Sequence, residues 1–150
     1  MLVFWSLALS ALMVPGQALA VDGVILIDQA RVMASGGFPY RITQAGSYRL
    51  ASNLQIPSAA TDGIKADYVG ATIDLNGFKI AGPSVCSPGS GTCSPAGSAI
   101  GVSAIGGRVI NGFVTGMSGY AVVADTVEDL NVSYNNAGVR CSKCLRITAR

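Results

Sequence analysis

The chain of 150 residues has no histidine and a single tryptophan, and only 12% of it is charged. Lack of histidine removes the commonest general base and the commonest metal-ligating side chain. Ten basic residues against eight acidic ones leave a net charge of +2, with no charge run or basic tail. That is not the footprint of a nucleic-acid binder, so no nucleic-acid partner is expected. Glu, Lys and Gln are scarce, which argues against long helices. No phosphate-cradling glycine loop, Ser/His/Asp set or metal-ligand cluster is present in the sequence, so no cofactor is expected.

Half of the residues are apolar, and there are 19 glycines. Small and β-branched residues interrupted by Gly and Asn suit many short strands with tight corners. The pattern is clearest from Asp62 to Pro83. Ile64 and Ala66 face one way and Lys65 and Asp67 the other. Val69, Ala71, Ile73 and Leu75 then face in, while Thr72, Asp74 and Asn76 face out. Alternation with period two means strands with one wet face. Asp62-Gly63, Gly70, Asn76-Gly77 and Gly82-Pro83 punctuate them. A two-residue hairpin at Asn76-Gly77 is one reading. One rung of a coiled parallel stack, with corners in place of reversals, is the reading adopted, because the same grammar returns downstream.

Ile100 and Val102 parallel Ile64 and Ala66, and Arg108–Phe113 parallels Thr72–Phe78. Ala121–Val123 with Leu130–Asn135 makes a further pass, and Gly138–Cys141 with Leu145 and Ile147 another. Imperfect repeats of this size indicate a solenoid more often than a sandwich. In such a stack Asn76 and Asn111 occupy equivalent bends. Ile73 then lies near Val109 and Leu75 near Ile110, with Phe78, Ile80 and Phe113 pointing inward. Stacked asparagines are expected to bond from rung to rung.

Leu2–Val14 is an unbroken run of apolar and small residues, ended by Pro15-Gly16 and followed by Ala18-Leu19-Ala20. It is shorter than the roughly 20 residues of a membrane span. It has the form of a signal peptide over residues 1–20, cleaved after Ala20, although no Lys or Arg precedes its apolar core. No membrane span is expected after cleavage, and the chain is expected to be secreted, periplasmic or at the cell surface. Residues 21–57 are expected to form an N-terminal cap and the first strands, with Tyr40, Tyr48, Arg41 and Arg49 covering the open edge. Further rungs in place of a cap are the alternative. Residues 58–150 are expected to be rungs, with a Cys-bounded loop insertion at 84–97.

Three stretches carry a resemblance: Gly46–Leu50, Ile73–Pro83 (IDLNGFKIAGP) and Val109–Gly116 (VINGFVTG), with Asp62-Gly63-Ile64 between the first two. They resemble secreted right-handed parallel β-helix repeat proteins of the pectin-lyase-like superfamily, from about Val21 to the end. The resemblance implies an all-β, right-handed parallel β-helix. Such proteins carry more rungs, so the chain is expected to be the N-terminal part of a longer protein. The superfamily holds lyases, hydrolases, epimerases and adhesins, so the likeness speaks for a fold and much less for a reaction.

Cys86 and Cys93 bracket a Gly/Pro/Ser-rich segment and are expected to pair, stabilising the loop by about 2–3 kcal/mol in the chain-entropy model. Cys141 and Cys144 form a CxxC that allows a structural disulfide, a redox pair or a zinc ligand pair. A thiol facing the core with its partner outside is a further alternative.

The candidate surface-site residues are Asp74, Lys79, Arg108, Asp125, Glu128 and Asp129. Asp125, Glu128 and Asp129 read as a solvated corner, and Asp74 as a surface residue with Lys79 and Arg108 as neighbours. Glycoside hydrolysis needs a carboxylate pair around the bond, and no residue-by-residue match to a lyase or hydrolase set emerges. Tyr120 and Tyr134 are candidate stacking platforms. The function expected is a secreted scaffold that binds a polysaccharide or cell-surface glycan. A polysaccharide lyase or glycoside hydrolase with its catalytic residues outside this stretch, and an adhesin-like surface module, are the alternatives.

Overall fold

A computed structural model describes residues 23–67, 70–87 and 91–150. The expected signal peptide and the inward-facing Val69 lie outside the described residues. Among the described residues the fold is all-β apart from one short helix. A first strand, β1 (Val24–Ile27), leads into α1 (Gln29–Ala34). Asp28 caps that helix, its carboxylate accepting from the Arg31 N–H at 2.7 Å.

Three short strands follow, β2 (Tyr40–Ile42), β3 (Gly46–Leu50) and β4 (Leu54–Gln55). Three more repeat the arrangement, β5 (Ile64–Ala66), β6 (Ala71–Asp74) and β7 (Lys79–Ala81). A small ribbon, β8 (Val85–Cys86) and β9 (Cys93–Ser94), carries the Cys86–Cys93 disulfide. Three long strands complete the chain: β10 (Val102–Thr115), β11 (Tyr120–Ser133) and β12 (Ala137–Ala149).

Among the described residues all pairings in the main sheet are parallel, and the β8–β9 ribbon is antiparallel. The strands form successive tiers. The set β2, β3, β4 lies beside β5, β6, β7, and β10 pairs with all three of the latter along its length. β11 and β12 follow in turn. The hairpin at Asn76-Gly77 does not form, because β6 and β7 pair with neighbouring tiers and not with each other. Ile73 is in register with Val109, and the Leu75 N–H donates to the Ile110 carbonyl at 2.8 Å, as parallel pairing of these strands requires.

Inward residues from every tier join one core: Tyr48, Ile73, Val109 and Val127 along one column, Leu54, Ile80, Val114 and Val132 along another. Each large apolar side chain buried there contributes about 1.5–3 kcal/mol. A long strand contributes three stretches to one core only if it bends. β10 bends at the irregularity between Ala104 and Arg108 and again at Asn111, where φ is 63°. In β11 and β12 the same column holds Asp129 and Arg146, also at positive φ. Asn and Asp tolerate that left-handed backbone, whereas Arg146 is an unusual occupant. Gly112 follows the bend of β10, where an added Cβ would collide with the Leu75 side chain and the Phe78 carbonyl.

The asparagines link tiers mostly by bonding backbone groups, and Asn111 by donating to the Asp74 carboxylate. Asn76 donates to the Leu50 carbonyl at 3.2 Å, and Asn53 accepts from the Lys79 N–H at 2.9 Å. Asn135 accepts from the Met117 N–H and donates to the Val114 carbonyl. A backbone group at a corner has no ladder partner, so the amide supplies both missing bonds.

The covering of the first edge also differs from expectation. Tyr40 and Tyr48 are buried in the core, while Arg41 and Arg49 project outward. β1 covers β3 instead, and Val32 of α1 enters the core. The Gln29 side chain satisfies β4: it accepts from the Gln55 N–H at 2.9 Å and donates to the Gln55 carbonyl at 3.4 Å.

Candidate functional site

Lys79, Phe113, Asn131 and Thr148 sit side by side on β7, β10, β11 and β12, pointing outward. Two residues further on, Gln55, Ala81, Thr115 and Ser133 form a second outward column. Neighbouring strands lie about 4.7–4.9 Å apart, so each column presents a new side chain at that interval. Between the columns and Tyr134 lies a shallow depression of about 520 Å³, lined among others by Lys79, Phe113, Thr115, Asn131, Ser133 and Tyr134. Phe113 is 45% exposed and Tyr134 58% exposed.

Phe113 was expected inside, and the structure turns it out. The two Asn-Gly-Phe segments look equivalent but differ in corner length. Four residues separate Asp74 from Lys79, and two separate Ile110 from Phe113, although Asp74 pairs with Ile110 and Lys79 with Phe113. Phe113 therefore occupies the position of Lys79, and Val114 takes the inward position of Ile80. Phe78 lies in the longer corner, half-buried against the core. Sequence reasoning missed Phe113 because the repeated tripeptide hid the length difference. The alternation Phe113 out, Val114 in, Thr115 out was the signal available. Tyr134 is in the depression, whereas Tyr120 begins β11 at the other end of that strand.

The six charged candidates divide. Lys79 alone lines this depression. Asp74 is engaged by Arg49 at 3.1 Å, and also accepts from the Asn76 N–H and the Asn111 amide. Its neighbours are thus Arg49 and Asn111, in place of the expected Lys79 and Arg108. Arg108 pairs with Glu128 at 2.6 Å. Asp129 takes a two-pronged bond from Arg146, which also lies 4.0 Å from Glu128. Asp125 is exposed, and none of the ion pairs among the described residues involves it. Arg41–Asp67 at 2.7 Å adds a further link between tiers.

Asp67, Asp74, Glu128 and Asp129 hold arginines across strand boundaries. The Arg146 hydrogen bond, reinforced by its charge and that of Arg108, holds the Asp129 carboxyl below the ordinary range. A general acid needs the opposite shift. Among the described residues no group of three or more His, Cys, Asp or Glu is placed to hold a metal ion. Cys141 and Cys144 are joined in a disulfide, as are Cys86 and Cys93. Among the described residues no helix is long and apolar enough to cross a membrane.

Compared with known proteins, the chain matches no family model, no curated protein and no solved structure.

Proposed function

We propose that this chain is a secreted, right-handed parallel β-helix of the pectin-lyase-like kind that binds a glycan strand along the Phe113–Tyr134 depression. The observation that carries the reading is the pair of outward columns. An exposed aromatic offers an apolar plate for a sugar ring, and the flanking amides and hydroxyls of Asn131, Thr115 and Ser133 bond to ring hydroxyls. The repeat of side chains at strand spacing suits an extended polymer lying across the tiers. Parallel register throughout the main sheet, one core filled from every tier and bends in a common column support the β-helix. The two disulfides are in keeping with export to an oxidising compartment. Arginine-bound carboxylates favour a binding scaffold over a hydrolase within these residues.

The test is calorimetric titration with soluble oligosaccharides, neutral and uronic-acid-containing, after a glycan-array screen. Binding by the parent chain, weakened about tenfold or more by Phe113→Ala, supports the reading. Equal affinity in Phe113→Ala, or binding to no glycan, refutes it. N-terminal sequencing of the exported product tests secretion, with Val21 as the expected first residue.

A further inference from the structure

Asn131 is the one asparagine in the sequence that Ser or Thr follows two positions later, in Asn131-Val132-Ser133. That tripeptide is the acceptor signal for N-linked glycosylation in chains that pass through a secretory pathway. The remaining asparagines are Asn53, Asn76, Asn111, Asn135 and Asn136. The side-chain amides of the first four of these are engaged in bonds at corners. Asn131 stands instead within β11, and its amide bonds no other group among the described residues.

Strand alternation decides which way the signal points. Val132 is 2% exposed and faces the core, so Asn131 and Ser133 project together from the opposite face. Phe113 is the cross-strand partner of Asn131, and Thr115 that of Ser133. Phe113 is 45% exposed, and open depressions lie on both sides of the Phe113–Asn131 pair. A sugar joined to the Asn131 amide therefore leaves the ladder and the core undisturbed, and it starts one strand spacing from an apolar ring. Covering that ring with the CH face of a pyranose removes apolar surface from water.

We propose that Asn131 is an N-glycosylation site whose first sugar lies on Phe113, and that the attached glycan closes the depression to a free strand. The second part rests on glycan binding in this depression, and the first part does not. The donor is an oligosaccharide carried on a lipid pyrophosphate and delivered by a membrane transferase. A bond forms between the Asn131 amide nitrogen and the anomeric carbon of the first sugar. The bond from that carbon to the pyrophosphate oxygen breaks, its electron pair stays on the phosphate, and the nitrogen loses one proton to a base of the transferase. Transfer takes place on the extended chain, and the outward position of Asn131 lets the folded sheet carry the product.

The test is export of the whole chain from a eukaryotic secretory host, followed by peptide mapping with mass spectrometry. The peptide that carries Asn131 is expected to bear an N-acetylhexosamine-based glycan, lost in Ser133→Ala and restored in Ser133→Thr. An exported parent chain with Asn131 bare overturns the site. Overhauser contacts from the acetyl methyl of the first sugar to the Phe113 ring support its placement, and their absence overturns it. Calorimetric titration with soluble oligosaccharides compares this chain with an unmodified one from a bacterial periplasm. Binding weakened at least about tenfold by the modification supports the closing, and equal affinity overturns it. An unmodified chain that binds no oligosaccharide removes both glycan binding and the closing, while the modification stands or falls by its mass.

Discussion

The first strands of the sheet and β12 are built alike, but their side chains are satisfied differently. At the first end β1 is laid over β3, Val32 plugs the core, and Gln29 imitates a strand by bonding both backbone groups of Gln55. On β12, the last strand of the described residues, Val139, Cys141 and Ile147 are half-buried, and Arg140 and Lys143 take part in none of the ion pairs among the described residues. An edge becomes inert only when backbone, apolar and charged groups are all satisfied. At the first strands a short helix and one amide meet part of these demands: Val32 fills the core and Gln29 bonds both backbone groups of Gln55.

The strongest way to break this contrast is to place the same charge in both regions. Ile73 is fully buried between Tyr48 and Val109, so Ile73→Asp is expected to cost several kcal/mol and prevent folding. Ile147→Asp, beside Leu130 on β12 and only half-buried, leaves the carboxylate in contact with water and should unfold only at lower urea than the parent. Circular dichroism with urea titration reads both. Equal losses would mean that the far end is as enclosed as the middle.

A smaller effect is expected at the corner before β12. Asn135→Ala removes two bonds and strands the Met117 N–H and the Val114 carbonyl, a loss of about 1–3 kcal/mol by chemical denaturation. Gln29→Ala sharpens the comparison by giving the first end an open edge. Its expected cost is about 0.5–1.5 kcal/mol, with faster hydrogen exchange at the Gln55 amide. Unchanged exchange there would remove Gln29 from its covering role.

The smallest effect lies with Asp129. Its carboxyl titrates below the ordinary 3.8 because Arg146 bonds the charged form. A folded value lower than the unfolded one means that the pair adds stability above the ordinary carboxylate range. That contribution is lost as pH falls through the depressed value. Carboxyl NMR titration should show the low midpoint in the parent and its return toward 3.8 in Arg146→Gln. A midpoint unmoved by that substitution would leave the shift without its cause.

Much of the fold was legible. Ile64, Ala66, Ala71, Ile73 and Leu75 are buried as their alternation required, since period two admits only one dry face. Asn76 and Asn111 both adopt positive φ at bends, where asparagine is among the few side chains that accept it. Cys86 and Cys93 pair as their spacing in a loop suggested. The candidate site was read less well. Tyr134 lines the depression, but Phe113, its central residue, had been assigned to the core. The partners of Asp74 and Arg108 were also misjudged.

The sequence by itself determined what is local: strands from alternation, bends from Asn and Gly, and a closed loop from two nearby cysteines. The tertiary structure alone decided which tier position each residue occupies. Register between tiers depends on corner length, and the corner after Asp74 is longer than the one after Ile110. That difference turned Phe113 outward beside Lys79. Side-chain partners followed from the same stacking, so Asp74 met Arg49 on one neighbouring strand and Glu128 met Arg108 on another. Contacts between residues some twenty positions apart are set by how the tiers align, and no window of sequence contains that information.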